Sequence, residues 1–218
     1  FLPHRLVPEK GHADVLQALI NLKQRGIKNV SLIISGPADD GRSPEFINTL
    51  KTTIKSNGLT YRVISEDKTT DNLRLEDRGN SQDEYVDVIF IIGGLNRENL
   101  RKMYTSVDIM TLAGYWQEGL SQSLIEAQAM GITVVASDVG GNKESFIPNK
   151  SGKLLKFEQW DWRVCEDAQK RKYNRAKLTN ALEELVKSEP LRKKMGEAGR
   201  RFAVKNFNPD ILIERYED

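Results

Sequence analysis

Short apolar segments that alternate with amphipathic stretches constrain the fold of this chain more than any other feature. The apolar runs have the length of single strands, and they read VSLIISG, VDVIFIIGG, VDIMTLA and ITVVAS. Continuous rather than alternating hydrophobicity is typical of strands that are buried on both faces. Between them, apolar residues recur at helical spacing in residues 12–24, 44–56, 97–105 and 121–130. The pattern predicts an α/β fold, a Rossmann-like, doubly wound parallel sheet with helices on both faces.

The chain has 218 residues, which is long enough to bury a sizeable core. We predict a single domain that spans residues 1–218. Residues 60–85 break the alternation because they are rich in charged residues, Asn and Thr. We predict that this segment is a charged excursion packed outside the core, with one short strand at 61–64. Closing helices are predicted within 174–218, at 177–186, at 191–204 and from Ile211 onward. The first residue is Phe1 and not methionine, and the strand-like sequence FLPHRL begins there. We therefore expect a fragment or an excised domain.

The composition excludes several classes of protein. The 33 basic and 31 acidic side chains leave a formal charge of +2, so no strongly basic field indicates a nucleic-acid partner. The single cysteine, Cys165, excludes an internal disulfide and is typical of a reducing cytosol. His4 and His12 add no zinc-like cluster to it. No apolar run approaches the ~20 residues that a membrane span needs. We expect a cytoplasmic protein without a metal site.

Two glutamates, Glu118 and Glu126, stand eight residues apart in the run EGLSQSLIEAQAMG. The predicted helix at 121–130 places Glu118 in the turn before it and Glu126 two turns into it. Amides at a helix start bind phosphate, and carboxylates accept hydrogen bonds from sugar hydroxyls. From the spacing alone, a solvated helix face is the more usual explanation of the pair. The strand before the loop and the strand after the helix favour a ligand site, since the carboxyl ends of parallel strands form the ligand edge.

Two basic residues, Arg5 and Lys10, flank a turn that reads RLVPEKG between the first strand and the first helix. This position is again at the carboxyl end of a strand. Arg offers a planar fork and Lys a compact charge, a combination that neutralises a diphosphate. The alternative is a pair of solvated charges beside Glu9.

These segments together resemble the C-terminal domain of the retaining glycosyltransferases of family 4. The resemblance runs in order through RLVPEKGHADVLQAL, LIISGP, VIFIIGGL, VDIMTLA and EGLSQSLIEAQAMGITVVASDVGGNKESF, and reaches RKKMGEAGRRFAVKNF. It leaves out residues 60–85 and 158–173. It implies the GT-B architecture, in which two Rossmann-like domains enclose the active site.

The resemblance implies roles for named residues. Arg5, Lys10 and Glu118 match the catalytic set: the basic pair holds the donor diphosphate, and the glutamate contacts hydroxyls of the transferred sugar. The donor-binding positions are the backbone amides of Gly119 and Leu120 for phosphate, Glu126 for the ribose, and a loop for the base, which contains Gly93, Gly94 and Leu95. The implied chemistry is transfer of a hexosyl group with retention, without a metal or other cofactor.

Departures from the family pattern leave the charged positions intact. His4 stands where the family usually has Gly, Thr133 where it has Pro, and Ala113-Gly114 where Pro-Ser often precedes the first glutamate. They weaken any inference about the donor. A UDP-sugar is the first expectation and GDP-mannose the second, from the breadth of the family.

The resemblance also implies what this chain lacks. The family's enzymes are nearly twice as long, so the N-terminal domain that binds the acceptor, a glycan or a lipid-linked sugar, is absent. We expect this chain alone to be inactive in transfer, because no acceptor would be positioned.

Two alternatives and one surface stay open. A sugar-nucleotide epimerase shares the architecture, and a non-catalytic nucleotide-sugar-binding module would keep the fold without the chemistry.

A basic helical face either is a solvated surface or provides peripheral contact with the inner face of a membrane. This face comprises Lys187, Arg192, Lys193, Arg200 and Arg201.

Overall fold

The computed structural model describes residues 1–66, 73–77, 85–116, 119–156 and 168–208 of the chain. Glu118, Cys165 and the final helix predicted from Ile211 lie outside these ranges. Within them, no helix is both long enough and apolar enough to cross a membrane.

Six helices lie in the described ranges, and most begin and end where the sequence pattern predicts. They are α1 His12–Gln24, α2 Ser43–Ser56, α3 Arg97–Thr105, α4 Gln122–Ala129, α5 Ala168–Lys187 and α6 Glu189–Phe207. Local signals explain the starts of two of them. The Asn96 side chain accepts from the Asn99 amide at the start of α3, and the Ser188 hydroxyl accepts from the Leu191 amide at the start of α6. Helix α5 begins at Ala168 and not at the predicted residue 177. The sequence pattern missed the first turns because they carry charged residues without an apolar period.

In the described ranges, eight strands form two hydrogen-bonded groups. The strands are β1 Leu2–Pro3, β2 Leu32–Gly36, β3 Tyr61–Glu66, β4 Leu73–Asp77, β5 Val88–Ile92, β6 Ile109–Leu112, β7 Thr133–Ser137 and β8 Gly152–Leu155. The first group has the order β1-β2-β5-β3-β4 and the second has the order β6-β7-β8. All pairings are parallel except that of β3 with β4. Parallel pairing requires crossovers, and the helices supply them.

Phe1 joins the two groups. Its amine donates to the Ile109 carbonyl at 2.8 Å, and its carbonyl accepts from the Thr111 amide at 2.8 Å. Strand β1 therefore lies beside β6, and the strand order reverses between them. This arrangement confirms the predicted Rossmann-like parallel sheet, and it defines a switch point at which ligands bind in such folds.

The core lies on both faces of the sheet. Neighbouring residues of β2 point to opposite sides, so Ile34 is buried in one hydrophobic cluster and Ile33 packs against the other. The first cluster includes the apolar faces of α1, α2 and α5, and the second includes those of α3 and α4. The prediction of helices on both faces is therefore confirmed.

The prediction that residues 60–85 pack outside the core is wrong where the structure describes them. Strand β3 pairs in parallel with β5 inside the first group of strands, and β4 continues the sheet beyond it. Tyr61 and Val63 are buried in the core, and the Tyr61 ring meets the Phe90 ring edge-on at 6.2 Å. Since only alternate residues of β3 face this cluster, the segment lacks the continuous apolar run that marks the other strands.

Candidate functional site

The loops that carry the predicted site residues meet at one edge of the sheet. Arg5 and Lys10 follow β1, Gly94 and Leu95 follow β5, and Gly119 and Leu120 lie between β6 and α4. Strands β1, β5 and β6 run parallel to one another within the sheet, so these loops all leave from the carboxyl ends. The loops that carry the predicted site residues therefore lie around the switch point, and Glu118 is outside the described residues.

The turn after β1 is shaped by Pro8 and Gly11. Pro8 begins a single 3₁₀ turn, Pro8–Lys10, and Gly11 ends it in the left-handed region with φ of 81°. A Cβ atom on Gly11 would lie 2.2 Å from the Ala113 carbonyl oxygen. Only glycine fits there, and the backbone beside Lys10 consequently lies against the loop after β6.

Further hydrogen bonds fix these two loops against each other. The Tyr115 amide donates to the Glu9 carbonyl at 2.9 Å. On the other side, the Ser137 hydroxyl at the end of β7 donates to the Gly114 carbonyl at 2.7 Å. The loops after β1, β6 and β7 therefore hold one another in place before any ligand binds.

A cleft of about 370 Å³ opens beside these loops. Both predicted cations, Arg5 and Lys10, line it. The Arg5 Nε lies 3.5 Å from a carboxylate oxygen of Asp39, in the loop after β2, and both side chains are more than half exposed. Sequence reasoning missed Asp39, because nothing in the chain order indicates that this loop faces Arg5. An anion that binds Arg5 must compete with Asp39.

Arg42, which precedes α2, is a further cation that sequence reasoning missed. Its Nη2 donates to Asp40 and to Glu9, each at 2.9 Å, and its Nε also donates to Asp40 at 2.9 Å. The hydrogen bonds from Arg42 hold the pKa of the Asp40 carboxyl well below its usual range, and those to Asp40 and Glu9 raise the pKa of Arg42. Arg42 thus ties the loop after β2 to the turn that carries Lys10.

Glu126 is held by a tyrosine from the neighbouring helix. The Tyr104 hydroxyl on α3 donates to a Glu126 carboxylate oxygen at 3.1 Å. Tyr104 is buried, whereas Glu126 on α4 is exposed to solvent. Burial raises the pKa of Tyr104, and the negative charge of Glu126 raises it further. The tyrosine therefore stays protonated and orients one carboxylate oxygen, while the exposed carboxylate faces water.

The start of α4 is partly occupied by contacts within the protein. The Ser121 amide donates to the Ser145 hydroxyl at 3.2 Å and is engaged there. A Cβ atom on Gly141 would lie 2.9 Å from the backbone of Gly119, so the glycine pair at 140–141 permits a close approach to this loop. Both Gly119 and Leu120 are exposed. Within the described ranges, neither amide donates a hydrogen bond to the protein.

The loop after β5 packs its backbone on the neighbouring strand. The Gly93 amide donates to the Gly36 carbonyl at 3.1 Å, which aligns the ends of β5 and β2. Gly94 and Leu95 follow, partly exposed, before Asn96 caps α3. The loop therefore presents mainly backbone between β5 and the helix that carries Tyr104.

Nothing in the described part of the chain gathers three or more His, Cys, Asp or Glu side chains in an arrangement that holds a metal ion. Glu144 is exposed at the end of a 3₁₀ turn, Gly140–Glu144.

The sheet order, the two layers of helices and the cleft at the switch point define an α/β domain of the Rossmann-like type found in GT-B proteins. The sequence model described as "Glycosyl transferases group 1" matches residues 1–163, and the chain belongs to that family.

Relatives are distant and longer than this chain. Spore coat protein SA of Bacillus subtilis is 24% identical over 147 residues, which cover 62% of this chain and 35% of that protein. The GDP-mannose-dependent alpha-(1-6)-phosphatidylinositol monomannoside mannosyltransferase of Mycobacterium tuberculosis is 22% identical over 220 residues, which cover 98% and 45%. Anabaena HepE, solved in complex with UDP, has a TM-score of 0.69 at 18% identity, over 100% of this chain and 47% of that one. The chain thus spans less than half the length of these proteins.

Proposed function

We propose that this chain is the part of a retaining, metal-independent glycosyltransferase that binds the nucleotide-sugar donor. The complete enzyme transfers a hexosyl group to an acceptor in the synthesis of a glycan, glycolipid or polysaccharide. Membership of the glycosyl transferases group 1 family supports this proposal. The donor is a nucleoside diphosphate sugar, and the acceptor is a glycan or a lipid-linked sugar.

The observation that carries the proposal is the position of Arg5 and Lys10. Both line the cleft beside the switch point, on a turn whose backbone is fixed by the loop after β6. A diphosphate in this cleft would meet two cations from one turn, and we assign to its phosphates the backbone amides of Gly119 and Leu120, which lie in the loop after β6. Asp39 then serves as the group that the diphosphate displaces from Arg5.

The remaining predicted residues fit the rest of such a ligand. Glu126, oriented by Tyr104, offers carboxylate oxygens to the two hydroxyls of a ribose. Backbone groups of the loop at Gly94 and Leu95 contact the base. Glu118 accepts hydrogen bonds from hydroxyls of the transferred sugar, a role taken from the family resemblance.

The chemistry assigned to the site is stabilisation of the leaving group. The bond between the anomeric carbon and the diphosphate oxygen breaks, the acceptor hydroxyl oxygen forms the new bond on the same face of the sugar, and the hydroxyl proton passes to the departing diphosphate. Negative charge develops on the departing diphosphate, and Arg5 and Lys10 neutralise it without a metal ion. Protein cations fixed before the reaction stabilise this charge more than water does.

Solved structures and relatives suggest which donor to test first. Anabaena HepE is solved with UDP and with UDP-glucose, whereas the mycobacterial relative is named as GDP-mannose-dependent. We propose a UDP-sugar first and GDP-mannose second.

The acceptor side and the location are also part of the proposal. Residues outside these 218 bind the acceptor, so the chain alone binds the donor and transfers sugar weakly or not at all. The enzyme acts in the cytoplasm, with peripheral contact at a membrane if the acceptor is lipid-linked.

Calorimetric titration of the chain with UDP, GDP and ADP, with and without a chelator, tests the proposal. We expect saturable binding of one nucleotide that a chelator leaves unchanged and that Lys10→Met weakens. Asp108→Asn is the control, since Asp108 immediately precedes β6 and so lies at the opposite, amino-terminal ends of the strands. Binding of no nucleotide, or binding that Lys10→Met leaves intact, would argue against the assigned site.

A further inference from the structure

A chain of hydrogen bonds runs from the interior of the domain to the start of α4. It begins at Ser151, just before β8, passes through Gln128 and Ser145, and ends at the Ser121 amide. We propose that Gln128 and Ser145 are positioning residues, which hold the loop after β6 in the conformation that presents its backbone amides to the donor's diphosphate. This is an inference that rests on the proposed function.

Gln128 is the buried end of this chain. Its side chain is fully buried on α4, and a buried amide is costly unless it is hydrogen-bonded. The Nε2 atom donates to the Leu124 carbonyl at 3.1 Å and to the Ser145 carbonyl at 2.6 Å. The Oε1 atom accepts from the Ser151 hydroxyl at 3.2 Å. Both amide protons are therefore used, which fixes the backbone at Ser145 relative to α4.

Ser145 extends this constraint to the start of α4. It is fully buried, and its hydroxyl accepts from the Ser121 amide at 3.2 Å and donates to the Gly141 carbonyl at 3.3 Å. One side chain thus joins the start of α4 to the Gly140–Glu144 turn from inside the protein.

The same turn also supports the peptide unit between Gly119 and Leu120. A Cβ atom on Gly141 would lie 2.9 Å from the carbonyl carbon and oxygen of Gly119, and 3.0 Å from the Leu120 nitrogen. The peptide that carries the Leu120 amide therefore lies against Gly141, and the next amide along the chain is held by Ser145. Amides that are oriented before binding stabilise an anion at a smaller cost in ordering.

Nucleotide titrations test this role, because a loss of positioning should affect ligands that reach the amides. We expect Ser145→Ala and Gln128→Met to weaken binding of the cognate nucleoside diphosphate about fivefold, the effect of one hydrogen bond of ordinary strength. The corresponding nucleoside, which has no phosphate, should bind both variants and wild type alike.

Thr133→Val is the matched control for lost stability. It removes a buried hydroxyl that donates to the Arg192 carbonyl at 2.7 Å, at the amino-terminal end of β7. We expect a comparable loss of thermal stability without any loss of nucleotide affinity. Unchanged affinity for the diphosphate in both test variants, or an equal loss in Thr133→Val, would overturn the positioning role.

NMR relaxation of the backbone amides tests the same role without a ligand. Order parameters of the Leu120 and Ser121 amides should be about 0.85 in wild type, as in rigid backbone, and should fall below about 0.6 in Ser145→Ala and Gln128→Met. Thr133→Val should leave them unchanged. High values in Gln128→Met, or low values in wild type, would overturn the inference.

Two outcomes need separate readouts. If Gln128→Met does not fold, Ser151→Ala removes one hydrogen bond to Gln128 and should lower the same order parameters by a smaller amount. If UDP, GDP and ADP all fail to bind wild type, the proposed function fails. The relaxation measurement then still decides whether Gln128 and Ser145 hold the loop.

Discussion

The Tyr104 hydroxyl donates to the Glu126 carboxylate at 3.1 Å and so links α3 to α4 at the ligand edge. One residue is buried and neutral, and the other is exposed and charged. The tyrosine hydroxyl holds one carboxylate oxygen of Glu126 and leaves the other oxygen free of this contact. This relationship gives Glu126 a defined orientation in a helix that otherwise presents it to water.

Glu126→Ala should weaken binding of the cognate nucleoside diphosphate by about 1.5–3 kcal/mol, the range for hydrogen bonds to a charged group. Tyr104→Phe should weaken it less, because the carboxylate remains but is no longer oriented. Calorimetry on both variants measures the difference. A larger loss for Tyr104→Phe than for Glu126→Ala would contradict the assigned order of roles.

Glu118→Ala should leave binding of plain UDP or GDP unchanged and remove any preference among sugars attached to it. The reason is that Glu118 is assigned to hydroxyls of the transferred sugar rather than to the nucleotide. Competition titrations with two nucleotide sugars that share one base measure the preference. An equal loss for the nucleotide and the nucleotide sugar would show that the assignment is wrong.

Asp39→Asn should strengthen binding of the nucleoside diphosphate by about two- to fivefold at low salt, as expected for a weak, exposed ion pair. Asp39 lies 3.5 Å from Arg5 and competes with an incoming anion. The gain should shrink as ionic strength rises, because salt screens exposed charges. Asp108→Asn, at the opposite ends of the strands, is the control and should show no gain in nucleotide affinity. If Asp39→Asn binds the nucleotide more weakly than wild type, Asp39 orients Arg5 and does not compete with the anion.

His12 should make the chain less stable in acid. The ring is buried at the start of α1 against Phe46, and burial lowers its pKa to about 4. The positive charges of His4 and Lys10 contribute to this shift, while the nearby carbonyls of Val7 and His4 oppose it. The unfolded chain, with a pKa near 6.5, binds more protons than the folded chain between these two values.

This contribution to stability is therefore fully present above pH 6.5 and is lost as the pH falls toward 4. The free energy of unfolding should decrease by about 1.4 kcal/mol per pH unit in that window, about 3 kcal/mol in all. Urea denaturation at several pH values measures it, with His12→Leu as the reference. If the two proteins show the same slope, His12 is not the group responsible.

Gly11→Ala should destabilise the chain by more than about 4 kcal/mol and displace Lys10, because the added carbon clashes with the Ala113 carbonyl. Gly26→Ala is the matched control. Gly26 has φ of 84° but open space around it, so only the left-handed strain of about 1–2 kcal/mol applies. Thermal unfolding compares the two, and similar losses would show that the close approach of the two loops is not rigid.

Much of the fold followed from local patterns. Helices α1 and α3 begin and end as predicted, because the apolar period that marks them acts within a few residues. The candidate site was also largely predictable, since Arg5, Lys10 and Glu126 occupy recognisable positions after strands or on a helix that follows one. Strand β3 was misjudged because its burial depends on pairing with β5, which lies more than twenty residues further along the chain.

The sequence by itself determined the class of fold, most of the succession of strands and helices, and the chemical types in the loops that follow the strands. Only the tertiary structure decided the order β4-β3-β5-β2-β1-β6-β7-β8 and the contacts of Asp39 with Arg5, Arg42 with Glu9, and Tyr104 with Glu126. The physical reason is the range of the forces involved. Periodicity and turn chemistry act between near neighbours, whereas strand pairing and ion pairs join residues that the chain order keeps apart.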